Sequence, residues 1–147
     1  MVPSGGASGK VMSSELPQKY LEGIRLFNAE EFFECHDVLE ELWTEVIDEE
    51  RKFYQGLIQA AVALFHFGNE NLGGAMKLYR SSREKLELYR PRFMEMDLDR
   101  FLTDFELCFR ELLDAGPGYP AHVSLQAELL PRIELARTAL DEGSADR

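Results

Sequence analysis

Three residues on one predicted helix, His36, Glu40 and Trp43, have the types and the spacing of a small polar site. Side chains three and four positions apart lie on the same side of an α-helix, so these three form one ridge. An imidazole and a carboxylate one turn apart can bind the same metal ion. The same two groups can instead form a structural hydrogen bond, and the spacing is compatible with both interpretations.

The next predicted helix carries a second polar stripe. Residues 53–69 contain no Asp, Glu, Lys or Arg, and this helix is apolar on nearly all sides. It should therefore be covered by protein, and each buried polar group on it needs a partner, because an unpaired one costs roughly 1–3 kcal/mol. If the two helices are antiparallel neighbours, this polar stripe can face the ridge that contains His36 and Glu40. The main polar side chains of the stripe are Gln55, Gln59 and His66.

We therefore predict a divalent-metal site with His36, Glu40 and His66 as ligands. Three protein ligands are the minimum of a catalytic zinc site, and a mixed nitrogen and oxygen set suits Zn, Fe, Mn or Ni. If the site is catalytic, metal-assisted hydrolysis is the expected reaction class. The sequence identifies no catalytic residue, no substrate and no specific metal, and it leaves open whether the protein is an enzyme. The residues predicted to line the pocket are Gln59, Trp43, Gln55 and Asn69.

Other chemistry has less support. The remaining acidic residues of the helix that carries His36, among them Asp37, are expected to form a solvated face. Cys35 precedes His36, but adjacent helical side chains diverge by about 100°, so they do not form a nucleophile–base pair. Neither Cys35 nor Cys108 lies in a Cys-x-x-Cys motif. Both are expected to be reduced core residues of a cytoplasmic protein.

These residues must be positioned by helices, because apolar side chains recur with helical spacing along most of the chain. The pattern predicts an all-α fold, a single bundle of five or six mostly antiparallel helices. Asn28 and Glu31 predict a capping pair at the start of the second helix. The predicted helices are 15–27, 29–47, 48–67, 70–89 and 98–115, with a sixth from Ser124. One domain would span residues 14–141, between flexible tails at 1–13 and 142–147.

The charge balance excludes some partners. The 16 Lys+Arg against 27 Asp+Glu give a net charge of −11. Such a chain repels nucleic-acid phosphates and anionic lipid headgroups, so we expect neither nucleic acid nor a membrane surface as a partner.

The alternative function is a non-enzymatic helical scaffold, or a homo-oligomeric interaction module whose polar residues form a structural network. The spacing of Tyr20, Gly23 and Phe27 resembles that of a tetratricopeptide-type helical hairpin. From Gly56 onward, however, small and large residues do not recur at a 34-residue period.

One longer stretch resembles a known family. The run from Glu30 to Trp43, EEFFECHDVLEELW, is similar to the signature of the domain of unknown function 309, a bacterial and archaeal family. Its hallmark is His-x-x-x-Glu-x-x-Trp/Tyr, and the segments GLIQAA (56–61) and HFGN (66–69) with Gly74 resemble its second block. The resemblance covers about residues 20–89. It implies a helical fold and a histidine–glutamate motif suspected of binding metal, and it does not account for the helices predicted within 97–140.

Overall fold

Each run of apolar residues with helical spacing folds as an α-helix. The computed structural model describes residues 16–116, 118 and 122–136, and within them there are five α-helices. Short turns join the first four, so these are antiparallel to their neighbours, and the predicted all-α bundle is confirmed. The helices are α1 (Gln18–Asn28), α2 (Phe32–Glu45), α3 (Glu50–Gly68), α4 (Leu72–Leu86) and α5 (Leu98–Ala115). Two short antiparallel strands, β1 (Arg92–Phe93) and β2 (Met96–Asp97), lie between α4 and α5.

The α1–α2 turn has the same conformation as the α3–α4 turn. Glu30 and Glu70, forty residues apart, each have a φ of 65° in the left-handed region. In both turns the next N–H donates to the carbonyl five residues earlier, at 2.9 Å in the first turn and 2.8 Å in the second. These bonds satisfy carbonyl groups at the end of the preceding helix.

The buried positions of the two hairpins correspond at the same offset. Small buried residues occupy equivalent positions in the two hairpins: Gly23 of α1 corresponds to Ala63 of α3, and Cys35 of α2 to Ala75 of α4. The chain therefore contains two copies of one helical hairpin at a 40-residue interval. The interval is 40 residues, so a 34-residue period does not match the two hairpins. Helix α3 also begins eight residues before the position equivalent to Gln18. Large buried residues that match are Ile24 and Leu64, Phe27 and Phe67, Phe32 and Leu72, and Leu39 and Tyr79.

Two further parts of the described chain pack against the two hairpins. The turn between β1 and β2 does so through Met94, whose carbonyl accepts a hydrogen bond from the buried Tyr20 hydroxyl at 3.1 Å. Helix α5 does so through aromatic rings. Its ring pairs are Phe27 with Phe101, at 5.8 Å between centroids, and Phe67 with Phe109, at 4.9 Å.

The helix predicted from Ser124 is wrong for the described residues. Residues 123–135 contain one 3-10 turn, Ala127–Leu129, and no α-helix, and the backbone is extended at Gln126 and Leu130 on either side of that turn. From Pro131 to Leu135 the side chains alternate between buried and exposed, which is the pattern of a strand lying on a core. The predicted tails at 1–13 and 142–147 lie outside the described residues.

Asn28 explains how this extended segment is held. Its side-chain amide donates to the Ile133 carbonyl, and its side-chain oxygen accepts from the Ile133 N–H, both at 2.8 Å. The amide thus satisfies a main-chain donor and acceptor as a neighbouring strand would. The predicted capping of α2 by Asn28 is therefore wrong, because the Asn28 side chain is used by residues more than a hundred positions away.

No helix among the described residues has both the length and the apolar character needed to cross a lipid bilayer.

Candidate metal centre

The imidazole of His36 lies between two carboxylates of its own helix. Its Nδ1 is 3.3 Å from Oδ1 of Asp37, and its Nε2 is 3.7 Å from Oε1 of Glu40. The His36 side chain is 24% exposed, whereas those of Asp37 and Glu40 are 53–55% exposed. The imidazole is therefore held against the protein while both acids remain open to solvent.

His36, Asp37 and Glu40 form a group that fits a cation. Each offers one ligand atom, and these atoms lie within 4.8 Å of one another. Two carboxylates and a neutral imidazole would balance the charge of a divalent ion. The sequence pattern placed Asp37 on the solvated face, because successive helical side chains diverge, and so it missed this ligand. The only sequence signal for Asp37 was its position next to His36.

The His36 ring has an unused donor or acceptor. Its Nδ1 is buried and has no hydrogen-bond partner among the described residues, although Oδ1 of Asp37 lies 3.3 Å away. A buried polar atom without a partner is unfavourable by roughly 1–3 kcal/mol, and metal coordination is one way to satisfy an imidazole nitrogen. Helix α2 also contains no Lys or Arg, so its acidic side chains favour cations near this group.

His66, the third predicted ligand, lies outside this group. One of its ring nitrogens is 3.3 Å from the side-chain nitrogen of Asn71, the residue that caps α4. The two histidines are connected through Phe33 and Phe65. Ring centroids are 5.6 Å apart from His36 to Phe33, 5.6 Å from Phe33 to Phe65, and 6.1 Å from Phe65 to His66.

The predicted polar stripe of α3 exists, but its partners come from α4. Gln59 and His66 are half-buried as expected. Gln59 Oε1 accepts a hydrogen bond from the Ser81 hydroxyl at 2.9 Å, and not from α2. Gly74 allows the close approach of α4 to His66, since a Cβ there would lie 3.1 Å from the imidazole Cδ2. Gln59 therefore acts in the packing of α3 against α4.

The other predicted pocket residues are spread along the molecule. Trp43 lies two turns from His36 on α2, with the Arg51 guanidinium carbon 3.9 Å from its ring centroid. Its indole Nε1 is buried without a hydrogen-bond partner among the described residues. Gln55 lines a separate open cleft with Arg51, at the turn between α2 and α3. Asn69 is exposed and ends α3 through its backbone N–H.

Cysteine chemistry is disfavoured by burial. Cys35 is fully buried and Cys108 is 5% exposed. Burial raises the pKa of each thiol to about 12, so both are protonated at neutral pH. This agrees with their expected role as core residues.

Comparison of the two hairpins shows which side chains of α2 are not required for helix packing. The positions of α4 equivalent to His36 and Glu40 are Met76 and Arg80. Met76 is buried in the core, so the same hairpin geometry forms without an imidazole or a carboxylate at these positions. The His36 group is therefore specific to the first hairpin.

Comparison with known proteins agrees with the sequence motif. The model of the family described as Domain of unknown function (DUF309) matches residues 20–78, from α1 into α4. The chain is also 36% identical over 85 residues to Uncharacterized protein YpuF of Bacillus subtilis (strain 168). That alignment covers 56% of this chain and 49% of YpuF, so the match spans about half the length of the curated relative. The predicted resemblance is confirmed: the model of the domain of unknown function 309 matches residues 20–78, which include His36, Asp37 and Glu40.

Proposed function

We propose that this protein binds one divalent transition-metal ion through His36, Asp37 and Glu40. The observation that carries the proposal is the half-buried imidazole, which faces two carboxylates and has a buried nitrogen without a hydrogen bond. Imidazole favours zinc and its neighbours over magnesium and calcium, and the two carboxylates extend the choice to manganese. This ligand set differs from the one predicted from the sequence: Asp37 is a ligand, and His66 lies near the site without binding the metal.

A metal in this position would be accessible to other molecules. Three protein ligands would leave coordination positions open, and both carboxylates are exposed. A bound metal of this kind can activate water, which makes hydrolysis the reaction class to screen first. We place the protein in the cytoplasm, which is consistent with two buried free cysteines.

The test is calorimetric titration with Zn²⁺ and, separately, with Mg²⁺, which binds imidazole poorly and should not bind stoichiometrically. We expect about one equivalent of Zn²⁺ in the wild-type protein and no stoichiometric binding in His36→Ala. The variants Asp37→Asn and Glu40→Gln should each bind at least about tenfold more weakly.

His66→Ala is the matched control, because it removes the second histidine of the same face. It should bind Zn²⁺ as the wild type does. Loss of binding in His66→Ala with retention in Asp37→Asn would mean that His66, not Asp37, is the third ligand. Unchanged binding in His36→Ala would refute the proposal.

A second function, a helical interaction module that forms homodimers, is supported by the exposed aromatic pair. Phe33 is 52% and Phe65 36% exposed, and their rings are in contact on the surface. Repeated helical hairpins commonly serve as binding surfaces. Sedimentation equilibrium of the wild type and of Phe33→Ser tests it. A dimer that the substitution dissociates would support this function, and a monomeric wild type would contradict it.

A further inference from the structure

A second cleft lies between strands β1 and β2, the first turns of α5 and residues 130–136. Its volume is about 350 Å³, within the range of pockets that hold small molecules. The buried side chains of Met96, Phe101 and Ile133 contribute to its walls, so apolar surface is available inside it. Three arginines line the same cleft: Arg92, Arg100 and Arg132.

The guanidinium groups of these arginines are only partly used by the protein. Arg100 Nε is 3.3 Å from Oδ2 of Asp104, and Arg132 Nη1 donates to the Asn28 carbonyl at 3.4 Å. Arg92 is exposed, and its side chain has no ion pair or hydrogen bond within the described residues. Since each guanidinium carries five N–H donors, most donors of the cluster remain available to a ligand.

Three acidic residues line the cleft as well, and two of them are engaged. Asp97 accepts a hydrogen bond from the Arg100 backbone N–H at 3.0 Å and so caps α5, while Asp104 pairs with the Arg100 side chain. Glu134 is exposed and has no ion-pair partner within the described part of the chain. Beyond the Arg100–Asp104 pair, two arginines and two carboxylates line the cleft, so its charges balance, in a chain whose net charge is −11. The cleft offers unused guanidinium N–H donors at Arg92 and Arg132 beside apolar side chains.

We propose that this cleft binds a small organic anion that combines one carboxylate or phosphate group with an apolar body. Arg92 and Arg132 would bind the anionic group, because a planar guanidinium offers paired N–H donors that match carboxylate and phosphate oxygens. The apolar body would pack against Phe101 and its apolar neighbours in the wall. None of these residues belongs to the His36 group, so this binding activity is independent of the proposed metal site.

The experiment is titration of the full-length protein with 3-phenylpropionate and, separately, phenylphosphate, followed by amide NMR shifts and calorimetry. Inorganic phosphate lacks the apolar body, and 3-phenylpropanol lacks the charge. We expect one or both aromatic anions to shift the amide signals of residues 92–104 and 130–136, and the two single-feature probes to bind at least about tenfold more weakly. Preference between the two anions identifies the acid group.

Three single substitutions test this proposal, and each has a different expected effect on anion binding. Arg92→Gln should weaken binding about tenfold, since it removes a charge-assisted contact without breaking any contact within the described structure. Glu134→Gln should strengthen binding, because it removes the uncommitted negative charge. Arg110→Gln, on α5 but outside the cleft, is the control and should change nothing. Failure of both aromatic anions to bind, or equal binding by wild type and Arg92→Gln, would overturn the proposal.

Discussion

Replacing Gly56 by alanine tests the helix packing that holds the polar stripe of α3 in place. Helix α3 packs against both α2 and α4. A Cβ at Gly56 would lie 2.8 Å from Cδ2 and 2.9 Å from Cγ of Leu86, closer than real carbon contacts allow. Leu86 is fully buried and so cannot turn into solvent. Either α4 moves away or the Leu86 side chain adopts a strained conformation.

The expected size of the effect follows from two opposing contributions. Overpacking a buried contact costs about 1–3 kcal/mol, whereas alanine gains roughly 0.5–1 kcal/mol over glycine inside a helix. The free energy of unfolding should therefore fall by about 1 kcal/mol, and by no more than about 2.5 kcal/mol, in Gly56→Ala. Gly73→Ala is the matched control, because a Cβ there meets nothing within 4 Å. It should stabilise the protein by up to roughly 0.5–1 kcal/mol.

Urea unfolding followed by far-ultraviolet circular dichroism measures both variants. The midpoint should decrease for Gly56→Ala and increase or stay constant for Gly73→Ala, with unchanged slopes. If Gly56→Ala is as stable as the wild type or more stable, the close contact between α3 and α4 at Leu86 is not required for the fold. The argument from Gly56 would then be refuted.

Three further predictions concern the buried thiols and the extended segment. Cys35 and Cys108 should resist iodoacetamide at pH 7.5 in the folded protein and react in denaturant; rapid labelling of either in the folded state would contradict their burial. Because burial raises both thiol pKa values from 9.0 to about 12, the unfolded chain loses these protons first. The free energy of unfolding should therefore fall as pH rises above about 9, by at most about 1.4 kcal/mol per pH unit for each thiol. Urea titrations from pH 8 to 11 measure this change, and a free energy of unfolding that does not vary with pH would refute the prediction. Asn28→Ala should lower the free energy of unfolding by about 1–3 kcal/mol, because the Ile133 backbone loses both partners, whereas the exposed Asn69→Ala should leave it nearly unchanged; equal stabilities would contradict the role of Asn28.

The helices were predictable because their apolar spacing is regular. Observed boundaries differ from the predicted ones by at most four residues, and the end of each hairpin turn lies close to the predicted break. The internal repeat was not found, because it is a repeat of turn geometry and side-chain size, with few identical residues. Gly23 corresponds to Ala63, and Cys35 to Ala75, at an interval that the 34-residue pattern does not cover.

The C-terminal segment was beyond sequence reasoning for a different reason. Its apolar residues are compatible with an interrupted helix, and its extended form depends on contacts with distant residues such as Asn28 and Met96. An asparagine just before a predicted helix is most simply a cap, so its pairing with Ile133 left no local signal.

The candidate site was predictable in part. The ridge on α2 correctly brought His36 and Glu40 together, because i and i+4 side chains meet on any helix. The expectation that the stripe of α3 faces this ridge depended on the rotation of α3, which sequence does not specify. In the structure Gln59 contacts Ser81 and His66 contacts Asn71, while Oδ1 of Asp37 lies 3.3 Å from Nδ1 of His36.

The most direct test of the metal proposal is elemental analysis of protein purified without a histidine tag or chelator. His36→Ala, prepared in the same way, is the comparison. We expect about one equivalent of a transition metal in the wild type and none in the variant, with similar helical content in both. The absence of metal from both proteins, together with a much lower melting temperature for His36→Ala, would contradict the proposal and make His36 a structural residue.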